Sequence, residues 1–418
     1  SRRERKSDMK RKLVVSCARL LSCAPERSSA GDPLGAVDDG AVLVDGGTIA
    51  ALGSASELRA AHPDVLHVDH RGLLSPGLVD AHTHAAWVGS RAGEYALRMR
   101  GADYEAIARA GGGIAASTRA LRAASLGELT AALEARLGRM ASLGVTTVEV
   151  KSGYGLDETS ERRQLEAVAA LSERPDLPAL VPTFLGLHAA PPERGGDRDA
   201  HARDCLRWLE GIARDGLARY VDAYVDRSAF SVAQARPLLE RARELGLGVR
   251  LHAGQFADVG AAELAAELGA ASADHLEHLS EAGAMALAEA GVHAVLLPLA
   301  SFTLGQAPPP IERLRRAGVA LVVASDSNPG TAPSESLPLA MALGLRSYGL
   351  EVAEVWLGAT RHAARSLGSE AGVLRAGAPA DLVLWDLPRE EDVLQPWGVA
   401  RTRAVLRAGE LIAGTLGG

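Results

Sequence analysis

Four side chains that lie far apart in the chain are of the types that hold a metal ion: His82 and His84 in LVDAHTH, His252 in VRLHAGQ and Asp326 in ALVVASD. A His-x-His pair at the end of a strand sends both imidazoles to one side, because side chains alternate with period two. Two neutral imidazoles aimed at one point are natural ligands. Among 12 histidines one such pair arises readily by chance. The third imidazole and the carboxylate give the set its weight, since three nitrogens and one oxygen suit a metal ion and leave room for water. An ion there would bring the pKa of that water towards about 7 and polarise a carbonyl, so the chemistry expected is hydrolysis. His275 in SADHL is expected beside the ion as an acid or base that does not bind it. The bland alternative for His275 is a capped polar residue. His278, three positions on, reads as a helix residue over the rim and outside the site.

These residues matter only if strands deliver them to one rim. Eight apolar runs could do so: LVDAHTH, VTTVEVKSG, ALVPTFLGLHA, YVDAYVD, VRLHAGQ, ASADHL, HAVLLP and ALVVASD, each followed by a stretch of helical period or by a loop and then such a stretch. Eight β/α units over this length predict a TIM-type (β/α)8 barrel, which places its chemistry at the C-terminal ends of its strands. His82 and His84 end the first strand, Lys151 the second, His188 the third, His252 the fifth, His275 the sixth and Asp326 the eighth. The tract from Tyr104 to Arg122, with AGGGI in it, is a long insertion after the first strand and is placed to fold over the mouth. Outside the barrel the grammar is all-β. AVLVDGGTIAALG reads as a hairpin turning at Gly46-Gly47, VLHVDHRGLL adds a strand, and ADLVLWDL and TRAVLRAGELIAG repeat the pattern near the C-terminus. The expected class is α/β: a barrel over 76–368 and a small β-sandwich built from 13–75 and 369–418.

The composition excludes several functions. Hydrophobic residues make up 47% and charged residues 23% of 418, enough for a large core and against disorder. A net charge of -7 gives no reason to bind a phosphate backbone, so nucleic acid is not expected as a partner. Basic residues cluster only in SRRERKSDMKRK, which reads as a solvated tail. That tail and LVVSCARLLSCA look somewhat like a secretory signal, but Arg19 breaks the apolar run, and alternation across Leu13 to Leu21 suits a half-buried strand better. No apolar run approaches the ~20 residues of a membrane span. Cys17, Cys23 and Cys205 are odd in number and form no C-x-x-C pair, so no disulfide framework or thiolate metal site is indicated. The cytoplasm is the default compartment.

The motifs PGLVDAHTHAAWVGSR, the GGGI tract with TRALRAAS, TTVEVKSGYGL, TFLGLHAAPPE, SADHLEH and ASDSNPGTAPSES together resemble the amidohydrolase superfamily and, within it, the imidazolonepropionases, from about residue 40 to the C-terminus. HTH alone would indicate only the superfamily, whereas HTH with GSR, EVKSGYG and SDSNPG is far more specific. The resemblance implies hydrolysis of the cyclic amide of 4-imidazolone-5-propanoate to N-formimidoyl-L-glutamate by metal-activated water, in a homodimer. It implies that His82, His84, His252 and Asp326 ligate one divalent or trivalent ion, zinc or else iron. Lys151 ends the second strand, whereas a carboxylated lysine bridging two metals would be expected on the fourth, so a single ion is expected. Arg91 would pair with the carboxylate arm of this small-molecule substrate, which a planar guanidinium does with both oxygens at once. Tyr154 and His188 would contact the substrate, and Asn328, Gly330 and Thr331 would hold the ring or the product. Position 255 is Gln, where some members and many related deaminases carry a Glu that shuttles protons. Gln255 can orient the ring but cannot titrate, so His275 and Asp326 would move the protons. Other readings on the same ligands are a different cyclic amidase, an aromatic deaminase, which Gln255 disfavours, and a barrel without activity, which four filled ligand positions disfavour.

Overall fold

The computed structural model describes residues 12–101, 112–395 and 397–417. Seven short strands open the chain: β1 (Leu13–Ser16), β2 (Arg19–Leu21), β3 (Ala36–Asp38), β4 (Gly40–Asp45), β5 (Thr48–Ser54), β6 (Leu66–Asp69) and β7 (Leu73–Pro76). The hairpin read at Gly46-Gly47 is present: both glycines have positive φ, +59° and +91°, as a two-residue turn matched to strand twist requires. The half-buried strand expected across Leu13 to Leu21 is instead two strands in two sheets. β1 joins β5-β4-β1-β6, and β2 joins a six-stranded sheet whose order runs from the C-terminal strands through β7 to β2 and β3. β1 is also buried along its whole length rather than on alternate residues. Leu13 and Val15 face the space between the sheets, and Val14 is covered from outside with Leu43 and Leu58, the last on the helix Ala55–Ala61.

The barrel follows as eight parallel strands in sequence order: β8 (Leu78–Asp80), β9 (Val145–Lys151), β10 (Ala179–Leu187), β11 (Tyr220–Val225), β12 (Gly248–Ala253), β13 (Ser272–His275), β14 (His293–Leu296) and β15 (Leu321–Val323). All eight expected strands are there. The ring closes just past the first and eighth, where Thr83 bridges Ser327 in parallel and the amides of His84 and Asp326 donate to the carbonyls of Ser327 and His82, each at 3.0 Å. Helices pack outside, and Val148, Val150, Val221, Ala223, Val249 and Leu251 face them, so the intervening residues of β9, β11 and β12 turn to the interior. Part of the insertion expected at 104–122 lies outside the described residues; its end is the helix Ile114–Ala123.

β16 (Leu382–Trp385), β17 (Thr402–Arg407) and β18 (Glu410–Gly414) complete the six-stranded sheet, with Ala408 and Gly409 making a second positive-φ turn. Both ends of the chain therefore build one pair of sheets, whose shared core runs from Leu13 to Leu406. Among the described residues no helix is long and apolar enough to cross a membrane. Cys17, Cys23 and Cys205 are free and buried.

Trp385 joins sandwich and barrel. Its ring is 2% exposed, meets Trp356 of the helix Val352–Gly358 edge-on at 6.1 Å and donates its N–H to Ser75 Oγ at 2.9 Å. At Gly144, where the chain enters β9 with φ +95°, a Cβ would come within 2.8 Å of that ring. Trp385→Ala leaves a cavity across this seam and should destabilise the fold by about 3–5 kcal/mol in urea unfolding. A loss below about 1 kcal/mol would show that the two units do not depend on it.

Candidate metal centre

Ligands of the expected type converge at the C-terminal rim. His82, His84 and His252, all buried, each bring one ring nitrogen to within 4.8 Å of the other two. Asp326 Oδ1 lies 3.5 Å from His82 Nε2 and 3.4 Å from His84 Nε2, and His252 Nε2 lies 3.3 Å from His84 Nε2. The fit to a metal ion rests on the donors themselves. His82 Nε2 is buried with no hydrogen-bond partner, which a protein rarely tolerates unless something else engages the atom. Burial, helped by the neighbouring cations, holds the pKa values of His82 and His84 well below the ordinary histidine value, so both rings are neutral and can donate a lone pair. Burial likewise pushes the Asp326 carboxyl up to about 7, a position that a nearby cation would reverse.

Beneath the rings lies a layer of charge inside the barrel. Asp274 Oδ2 accepts from His82 Nδ1 at 2.6 Å, and Asp222 Oδ2 sits 3.0 Å from His252 Nδ1. Each carboxylate fixes the tautomer of its imidazole and turns the far nitrogen to the rim. Lys151, with no exposure, lies 2.8 Å from both Glu149 and Asp222, and Arg250, equally buried, lies 3.8 Å from Asp274. Burial disfavours the Lys151 ammonium, but Asp222 and Glu149 outweigh it and hold its pKa above the ordinary value. Three carboxylates, Glu149, Asp222 and Asp274, against two cations leave this layer one negative charge in favour of a metal ion above it.

Asp274 and His275 are consecutive, and a regular strand would send them to opposite faces. His275 has φ +80° and Leu276 φ +71°, so the pleat breaks there and both side chains reach the site. The His275 ring lies 5.4 Å from that of His252 and 6.0 Å from that of His82. Burial opposes its charge, yet Glu277, whose Oε2 is 3.7 Å from His275 Nδ1, and Asp326 raise its pKa above the ordinary value. Asp326 is also left-handed, at φ +52°. Such conformations cost about 1–3 kcal/mol each and collect at functional sites. His278 lies in an exposed turn and not on a helix, because Ser280 caps the next helix and Glu281 begins it.

The other expected residues form a second wall. His188 stacks on His84 with centroids 5.0 Å apart, Tyr154 lies 5.4 Å from His188, and the pKa of His188 falls to about 3, chiefly through burial. Tyr154 is buried and its hydroxyl is pushed up by that burial, with the Arg91 charge acting the other way. Arg91 pairs with Glu94 at 2.9 Å and lies against Gly330, where a Cβ would be 2.3 Å from its Nη1. Asn328 turns inward on its own loop: its Nδ2 donates to the Asp326 carbonyl at 2.6 Å, and its Oδ1 accepts from the amides of Gly330 at 2.8 Å and Thr331 at 2.7 Å. It therefore shapes the loop more than it faces the cavity. Gln255 Oε1 accepts from Tyr224 at 2.6 Å, and the Tyr224 ring lies 5.4 Å from that of His252. Sequence reasoning missed Asp222, Tyr224 and Asp274. Asp222 and Tyr224 alternate in YVDAYVD, and Tyr224 pairs with His252 in the ladder, so period two could have found them.

The chain matches the family model "Amidohydrolase family" over residues 73–418 and "Imidazolonepropionase-like composite domain, bacteria" over 40–64. It is 44% identical to the imidazolonepropionase of Bradyrhizobium diazoefficiens, covering 90% of this chain and 93% of that one. It is also 44% identical to that of Cupriavidus metallidurans, over 91% and 93% of the two chains. Among solved structures, a triazine hydrolase variant superposes with a TM-score of 0.71 at 17% identity, covering 97% of this chain and 96% of that one. An adenosine deaminase from Xanthomonas campestris with bound zinc superposes with 0.67 at 19% identity, over 96% and 92%. At such identities these two speak for the fold alone.

If Asp222 and Asp274 orient the imidazoles, Asp222→Asn and Asp274→Asn should each weaken metal affinity by about 10–100-fold while the protein stays folded. Chelator competition measures this directly. Unchanged affinity in both variants would refute the role.

Proposed function

We infer what this chain does from what it is: it belongs to the imidazolonepropionase branch of the amidohydrolase family. On that footing it hydrolyses the cyclic amide of 4-imidazolone-5-propanoate to N-formimidoyl-L-glutamate, a step of histidine degradation. The observation that carries the reading is the convergence of His82, His84, His252 and Asp326 on one point over a buried carboxylate layer.

These four side chains would hold one ion, zinc or iron. Bound there, the ion supplies Lewis acidity: it polarises the ring carbonyl and lowers the pKa of water towards about 7. Around it the chain's own groups divide the work. Asp326, a carboxylate that the ion would keep ionised against its burial, takes the proton from the attacking water. His275, whose pKa Glu277 and Asp326 raise against the opposing burial, hydrogen-bonds the developing oxyanion and hands a proton to the leaving ring nitrogen. The water oxygen ends on the carbonyl carbon, the C–N bond opens, and the nitrogen leaves protonated. Gln255 has its oxygen occupied by Tyr224 and so presents its N–H2 to the ring.

Recognition of the carboxylate arm falls to Arg91, with Tyr154 and His188 against the ring. The Gly330–Thr331 segment, shaped by Asn328, closes the far side. The division of the chain at 75/76 and 368/369 into sandwich and barrel belongs to the same proposal. So do a homodimeric state and a cytoplasmic setting, the latter in keeping with three buried free thiols.

The test is loss of imidazolone-propionate absorbance with purified protein, with and without a chelator. Turnover should vanish on chelation, return on adding zinc or iron, and fall by at least about 10³-fold in Asp326→Ala, which removes a ligand and a proton carrier together. Full activity in metal-free protein would overturn the reading.

A further inference from the structure

The turn after β9, residues 152–156, carries Tyr154 and cannot satisfy its own amides. Gly153 has φ +111° and Leu156 φ +56°, which takes the chain off the ladder at once. Two side chains of the helix Glu158–Ser172 collect the amides instead. Glu161, with no exposure, accepts from Gly153, Gly155 and Leu156, each at 2.8 Å. Gln164, equally buried, accepts from Tyr154 at 3.1 Å and Gly155 at 3.2 Å. Its own N–H2 donates to the Ala86 carbonyl at 2.8 Å, two residues past His84. Neither side chain caps its own helix, because Asp157 already accepts from the Ser160 amide at 2.8 Å.

The turn has no slack. A Cβ on Gly155 would fall 2.5 Å from the Glu161 nitrogen, and one on Gly153 would fall 2.9 Å from the Leu185 carbonyl. The Gly153 carbonyl in turn accepts from His188 Nδ1 at 2.8 Å, which fixes that ring's tautomer and leaves Nε2 as an acceptor towards the cavity. Both side chains assigned to the substrate wall, Tyr154 and His188, therefore depend on one turn. Three of that turn's amides fall to one carboxylate, Glu161. Burying a carboxylate is expensive even with three amides on it, and burial raises this one's pKa to about 7. A turn that had only to close could have used water or backbone acceptors.

We propose that Glu161 is a positioning residue for substrate recognition: by gathering the amides of Gly153, Gly155 and Leu156 it fixes Tyr154 and, through the Gly153 carbonyl, His188. The proposal rests on the reading of Tyr154 and His188 as substrate contacts. It places Glu161 outside the metal chemistry, so the two halves of the site should come apart experimentally.

Glu161→Gln keeps the shape but sets an N–H2 against an amide N–H, which loses one bond and leaves a donor unpaired, an effect of about tenfold. In the metal-loaded full chain, KM for imidazolone-propionate should rise by about tenfold while kcat stays within about threefold and the ion content is unchanged. Hydrogen exchange at residues 153–156 should quicken. In a Tyr154→Ala background the same change should raise KM less, since the part of the Glu161 effect that passes through that ring is already lost and only the part through His188 remains. A lowered melting temperature with KM unchanged, or effects on KM that simply add, would overturn the proposal. Wild-type protein that never turns over the imidazolone would overturn the functional reading alone; exchange at the turn then decides, and unaltered exchange in Glu161→Gln counts against Glu161. Should Glu161→Gln not fold, Glu161→Asp, charged but one methylene short of the amides, gives the same readouts.

Discussion

A lysine sealed inside a barrel without solvent is the constraint on which the rest of this site depends. Lys151 is the only lysine after Lys12, and it ends β9 between Glu149 and Asp222. An unpaired ammonium there would not stay charged; paired on both sides, it does. Breaking such a pair costs about 3–5 kcal/mol because it strands the remaining charge. The carboxylates that neutralise Lys151 and Arg250 are thus not free to move, and two of them, Asp222 and Asp274, hold the ring nitrogens of His252 and His82. Ligand geometry at the rim is set from below by an electrostatic balance that also helps to fix the strands in register.

Above that layer the site divides into two walls built by different means. The metal wall sits at strand ends and just past them, with His82 and His84 beyond β8 and Asp326 beyond β15 instead of inside those strands, and it accepts strain, with left-handed backbone at His275, Leu276 and Asp326. The wall of Tyr154, His188 and Arg91 sits on loops, and the loops are tied to one another by side chains. Arg122 donates to the Gly155 carbonyl at 2.8 Å and pairs with Asp157 and Glu193, so the helix Ile114–Ala123, the turn of Tyr154 and the segment after β10 are linked. Asn328 does for the loop after β15 what Glu161 does for the turn after β9. Precision on loops is harder to achieve than on strands, and buried acceptors inside each loop supply it here.

How much of this could be read from the sequence follows from which rules are local. The barrel was legible because each strand is a short apolar run before a helical period, and His82, His84, His252 and Asp326 were legible because period two and strand ends suffice to place them. β1 and β2 were not separable, since the chain changes sheets within Cys17 and Ala18 with no glycine or proline to mark it. Asp274 was hidden by its neighbour: beside His275, alternation assigns it to the opposite face, and only the positive φ of two non-glycine residues undoes that. Asp222 obeys the alternation and was passed over because an acidic residue within a buried strand reads as an interruption, not as support for a histidine on the neighbouring strand. Asn328 was correctly placed at the rim, but its hydrogen bonds lie within its own loop, which residue type alone does not reveal.

Gln255 gains a physical reason from the same balance. The interior layer already holds one carboxylate more than it has cations, and Asp326 adds another at the rim. A glutamate at 255, next to Tyr224 and near His252, would place further negative charge in a buried space where Lys151 and Arg250 are already paired. With glutamine the position stays neutral, keeps its hydrogen bond to Tyr224 and retains a donor for the ring. On the proposed reading the proton work then passes to Asp326 at the rim and to His275, whose pKa Glu277 and Asp326 raise against burial. On the proposed reading, glutamine at this position is therefore part of the electrostatic design, and the pairing of His275 with Glu277 is what allows a site without that glutamate to move protons.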